Sequence, residues 1–135
     1  MAVTQMDSRS LKPEELSGPA LRTFFNIAKA WKLGREEQMR LLGLEASSTY
    51  YKWKKAPERA RLGRATLERL SYIFGIYKAL QILLPDPAAA DAWIRKPNRA
   101  PLFAGRSALE RMLSGNVADL YVVREYLDAQ RGGWC

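Results

Sequence analysis

Histidine is absent from the 135 residues, and cysteine occurs once, at the final position, Cys135. Without histidine the chain lacks the side chain that most often acts as a general base near neutral pH. One thiol forms no intramolecular disulfide, and with no imidazole beside it makes a poor metal site. No other pairing of nucleophile with base stands out, so the residues support no enzyme, and neither a metal nor a cofactor is expected. Long apolar runs are missing too. The longest stretch free of charge and proline is 70–77, far short of the roughly 20 residues that cross a bilayer. Residues 1–9 have neither an apolar core nor a small-residue cleavage pattern, so the reading is a cytoplasmic protein without a secretory signal.

What is present is an ordinary globular balance, 47% hydrophobic and 27% charged, enough for one domain or two small lobes sharing a core. The net charge of +8 is uneven. Residues 29–69 hold eleven Lys or Arg against five Asp or Glu, whereas the remaining residues hold eleven against nine. A local basic surplus favours a polyanionic partner, although a solvated basic face has the same composition.

Hydrophobic spacing predicts an all-α fold, with no segment showing the period of two that marks a strand. Residues 1–17 are polar and read as a flexible leader. Ala20, Leu21, Phe24, Phe25, Ala28 and Trp31 predict a helix over 19–31, capped by Ser17 or Gly18 with Pro19 in its first turn. A second helix fits Arg35–Leu42, with Glu36 and Glu37 at its positive end and Gly43 ending it. Ser47 or Ser48 is placed to cap a third over 49–55, and Pro57 closes it. Beyond a loop at 56–63, Leu67, Leu70, Ile73, Phe74, Tyr77, Leu80, Leu83 and Leu84 predict one long helix over 64–84. Its apolar stripe is wider than a small core needs and suggests a homodimer interface. Asp86-Pro87 starts a short helix towards Trp93, and 96–105 is a loop. Ser107 and Glu110 make a capping box, and a last helix runs from Asn116 to about Gln130. Expected divisions are therefore a leader 1–17, a region 18–63, a long helix 64–85 and a C-terminal region 86–135.

Two short helices, a turn with glycine and an apolar inner face on the second helix define a helix-turn-helix, and 35–55 supplies them in order. Four residues separate the two helices if Ser47 leads the second, a turn slightly longer than usual. With Tyr50 and Trp53 inward, the outward set is Ser47, Ser48, Thr49, Tyr51, Lys52 and Lys55. Hydroxyls at a helix start and Lys52 suit base edges, while Lys54, Lys55, Arg59, Arg61 and Arg64 suit phosphates. Double-stranded operator DNA is the expected partner.

The segments Leu-Leu-Gly-Leu, Ser-Ser-Thr-Tyr-Tyr-Lys-Trp-Lys and Ile-Tyr-Lys-Ala-Leu, ending at Leu80, form one set of recognisable residues. A second set is Ala92-Trp93-Ile94, Lys96-Pro97-Asn98, Leu102-Phe103-Ala104-Gly105-Arg106 and Met112-Leu113-Ser114-Gly115. On both, from about Leu21 onward, the chain resembles the Xre/MbcA/ParS family of antitoxins from type II toxin–antitoxin modules. The resemblance implies a DNA-binding N-terminal lobe, a C-terminal toxin-binding lobe and a homodimer. It implies as partner a RES-domain or related ADP-ribosyltransferase-like toxin that acts on NAD, and a complex that represses its own operon. By the same resemblance Trp93, Asn98, Phe103, Arg106, Arg131 and Trp134 fall in the toxin-binding region. Arg131-Gly132-Gly133-Trp134-Cys135 reads as a flexible tail aimed at the toxin's NAD pocket. The competing expectation is a stand-alone transcriptional regulator whose C-terminal half only dimerises or senses a ligand.

Overall fold

The computed structural model describes residues 13–132. Helix α1 runs Pro13–Ala30 and carries Pro19 in its interior, so it begins six residues before the predicted start and takes in the end of the expected leader. An interior proline weakens a helix, but tertiary packing overrides that preference here. Ser17 and Gly18 are buried rather than capping. The Ser17 hydroxyl accepts from the backbone N–H of Leu62 at 3.0 Å, and Gly18 lies against the backbone of Glu58. The first turns of α1 are thus held by the 56–63 segment, where Pro57–Arg59 forms a 3-10 turn. Downstream of Pro19, Leu21, Phe24, Ile27, Ala28 and Trp31 are all buried, as their spacing requires.

Helix α2 is Arg35–Leu42. The N–H of Gly34 donates to the Glu37 carboxylate at 2.9 Å, closing its first turn. Gly43 ends it at φ +76, a left-handed conformation that glycine adopts without the penalty a Cβ brings. Helix α3 is Ser47–Lys55, with Ala46 as its N-cap and no side chain capping it. The prediction that Ser47 or Ser48 caps a helix starting at 49 is therefore corrected: both serines are inside the first turn.

Helix α4, Arg64–Leu83, is the axis of the molecule. Leu70, Ile73, Ile76, Ala79 and Leu80 are at most 1% exposed, because α4 is flanked by α1, by α2, by α5 (Pro87–Ala92) and most extensively by α7 (Val117–Gly132). Much of its stripe is taken up inside one chain, while Leu67, Phe74, Tyr77, Leu83 and Leu84 stay half-buried and Ile82 is 53% exposed. After α5 comes a 3-10 turn, Trp93–Arg95. A loop closed by the bridge between Pro97 and Ser107 leads to α6, Ala108–Met112. The capping box holds: Glu110 N–H donates to Ser107 Oγ at 3.1 Å, and Ser107 N–H to Glu110 Oε1 at 3.2 Å.

One hydrophobic cluster runs from Leu21 to Leu127, so the two lobes share a core. Arginines add polar ties between them, among them Arg124, which donates to the Ser71 carbonyl at 3.4 Å. Arg40 donates to the Leu113 carbonyl at 3.2 Å and Arg69 to that of Gly115 at 2.8 Å. Arg95 reaches the carbonyls of Trp31 and Lys32 at the end of α1, at 3.1 and 2.8 Å, and the Glu37 carboxylate at 3.1 Å. No strand occurs among the described residues, and none of their helices is long and apolar enough to cross a membrane.

Candidate nucleic-acid interface and toxin-facing lobe

The orientation of α3 is fixed from its buried side. Tyr50 is buried, and its hydroxyl donates to Gln38 Oε1 at 2.9 Å, while Gln38 Nε2 donates to the Leu33 carbonyl at 2.9 Å. Phe25 meets Tyr50 edge-on at 6.1 Å between ring centroids, and half-buried Trp53 completes the inner face. At 100° per residue this leaves Ser48, Tyr51, Lys52 and Lys55 on the outer face, all exposed. Ser47 is exposed on one flank, and Thr49, half-buried, lies on the other. Since neither serine hydroxyl is consumed as a cap, both remain side-chain donors and acceptors at the helix start.

Arg35, which the sequence reading overlooked, belongs to this surface. Its guanidinium donates to the Tyr51 hydroxyl at 3.1 Å and to Glu36 at 2.7 Å. The Tyr51 contact first, and Glu36 second, push its pKa above the usual arginine value. Tyr51 is 53% exposed, so the first helix of the motif holds a projecting aromatic of the second. The only sequence signal was an arginine at the first position of α2, and spacing alone does not show which residue of α3 it reaches.

Lys54, one of the predicted phosphate contacts, is exposed on the flank of α3 that faces α1. Its ammonium lies 5.1 Å from the Phe25 ring centroid and 5.9 Å from that of Tyr50, towards α1 and away from Lys55. Arg59, Arg61 and Arg64 are exposed along the connection from α3 to α4, and among the described residues none is paired with a carboxylate.

In the second lobe, Trp93, Phe103 and Tyr126 form one aromatic cluster with centroids 5.3–6.5 Å apart. Phe103 is 3% exposed. Within the expected toxin-binding region it is therefore a core residue, with Trp93 half-buried beside it. Asn98 shapes the loop: its side chain accepts from Ala100 N–H at 2.9 Å, and its backbone exchanges bonds with Gly105 and Arg106. Arg106 is exposed and stands over Glu36, Glu37, Arg40 and Glu110 at the seam between the lobes. Arg131 is not part of a tail; it sits in the last turn of α7, 3.8 Å from Asp128. Trp134 and Cys135 lie outside the described residues. Among the described residues no group of acids or cysteine is placed to hold a metal ion.

This is a helix-turn-helix protein in which a second helical lobe is welded to the DNA-reading one. Residues 10–75 match the model of the antitoxin Xre-like helix-turn-helix domain, and residues 79–133 match that of the antitoxin Xre/MbcA/ParS C-terminal toxin-binding domain. The chain belongs to the Xre/MbcA/ParS family of antitoxins. It is 52% identical over 113 residues to the uncharacterized protein y4oB of Sinorhizobium fredii (strain NBRC 101917 / NGR234), covering 84% of each chain. No solved structure matches it.

Proposed function

We propose that this antitoxin neutralises a RES-type, NAD-acting toxin by covering its active site, and that it represses its own operon through α3. The observation that carries the DNA arm is the outer face of α3. Ser48, Tyr51, Lys52 and Lys55 project together from a helix anchored by the buried Tyr50–Gln38–Leu33 hydrogen bonds. Hydroxyls at the start of the helix suit base edges and phosphates, and Lys52 suits guanine O6 and N7. Arg59, Arg61 and Arg64 supply position without sequence information.

The toxin arm rests on the family's C-terminal domain and on the exposed Arg106 and Arg131, which stand at different places on it, with Trp134 as a further candidate anchor. Cytoplasmic residence follows from both tasks. Co-purification with the product of an adjacent reading frame, followed by NAD loss with and without this protein, tests the first arm. NAD consumption that persists at excess antitoxin rejects it. For the second arm, replacing Lys52 and Lys55 together by Glu should abolish gel-shift binding to the upstream duplex while helical content stays unchanged. Undiminished affinity rejects that arm.

A further inference from the structure

On the flank of the outer face of α3 lies a cavity of about 440 Å³ between α1, α2 and α3. Phe25, Ala28, Leu33 and Gln38 line it, and its rim carries Lys29 from the end of α1, Lys32 from the turn after it and Lys54 from the last turn of α3. All three are exposed, and among the described residues none is paired with a carboxylate. The carboxylates at the start of α2 are already engaged: Glu36 with Arg35, and Glu37 with Arg95 and the Gly34 N–H. Three unopposed ammonium groups around one hollow repel each other and are stabilised by an anion.

Lys32 adds an independent oddity. It has φ +57, and its neighbour Leu33 donates back to the Ala28 carbonyl at 2.8 Å, the arrangement in which glycine usually ends a helix. A lysine there is strained relative to glycine, and strain of this kind points to a use for the side chain.

The rim is continuous with the DNA-reading face. Gly34, on the rim, precedes the Arg35 that holds Tyr51, and Lys54 stands three residues, about 60° of helix turn, from Tyr51. The geometry points to Lys29, Lys32 and Lys54 as a clamp for one backbone phosphate of the duplex, on the strand flanking the groove that α3 enters. The inference rests on the DNA-binding reading and adds Lys29 and Lys32, which that reading did not use.

The test compares the full-length wild type with the double variant Lys29→Gln/Lys32→Gly, by fluorescence anisotropy over a salt series. Two duplexes serve as probes, one from upstream of its own reading frame and one of unrelated sequence. Removing one phosphate contact should lower the slope of log K against log salt by about 0.9, and weaken binding roughly five-fold at physiological salt, on both duplexes alike. Lys32→Gly alone should weaken DNA binding yet leave the melting temperature equal or higher, since it relieves the left-handed strain. A melting temperature that falls together with affinity assigns Lys32 to the fold and overturns the clamp. An unchanged salt slope in the double variant, with the wild type binding normally, overturns the clamp alone. Wild-type protein that binds neither duplex overturns the DNA reading and the clamp with it. Inorganic phosphate alone should give no saturable thermal shift; a shift lost in the double variant, with the DNA slope intact, makes the site one for free anion and overturns the inference.

Discussion

Tyr50, Gly43 and Arg35 each do something that their neighbours cannot. The Tyr50 hydroxyl and Gln38 amide are buried and satisfy one another, so Tyr50→Phe strands the Gln38 oxygen. The expected loss is about 1–2 kcal/mol of unfolding free energy, read from urea denaturation with an unchanged m-value. At Gly43 a Cβ would be strained by the positive φ and would stand 2.8 Å from Arg69 Nε. Gly43→Ala should therefore cost at least about 1 kcal/mol and loosen the Arg69 tie to Gly115, both visible as a lower melting temperature. Arg35→Ala frees the Tyr51 ring, so DNA affinity should fall by about two- to ten-fold, the cost of immobilising a side chain on binding. Thermal stability should hardly change, because Arg35 is exposed. If affinity is untouched by that substitution, Tyr51 is not read through Arg35.

At the level of elements, capping chemistry was legible wherever a local signal decided the boundary. Ser107 with Glu110 and Gly43 after Leu42 mark helix ends that three or four residues specify by themselves, and Ser107→Ala should cost about 1 kcal/mol, measured by thermal unfolding. The misplaced starts of α1 and α3 have the opposite character. Pro19 and Ser47 look like local signals, but burial of Ser17 against Leu62 and the packing of Tyr50 on Phe25 extend both helices past them. Those contacts join residues distant in sequence, and no window of the sequence contains both partners. The same limit hid the direction of Lys54, which the rings of Phe25 and Tyr50 draw away from Lys55, and the burial of Phe103 under Tyr126.

Over the whole molecule, the wide stripe of α4 was visible as apolar periodicity, but the surface covering it was not, because α7 lies about fifty residues further along the chain. The family's two domain models divide the chain between residues 75 and 79, whereas the core crosses that division. A fragment ending at Leu84 would expose the face of α4 around Tyr72 and Gly75 that α7 now covers through Tyr121 and Arg124. Circular dichroism should show it without a cooperative thermal transition, and a sharp transition at the full-length temperature would show that the first lobe stands alone. Arg95→Ala should act in the same direction on a smaller scale. Amide exchange should quicken at the end of α1, far in sequence from the substitution, as the Trp31 and Lys32 carbonyls lose their donor.

The arginine ties and the shared core also bear on how long the protein's two tasks survive in a cell. A protease that cuts the 96–105 loop and strips away α6 and α7 should leave no working DNA-binding remnant, since α4 loses the surface that α7 supplies. DNA binding and toxin binding should then decay with one half-life, set by the opening of a single cooperative unit. A bound toxin that shields the second lobe would, by the same connection, prolong the life of the DNA-reading helix.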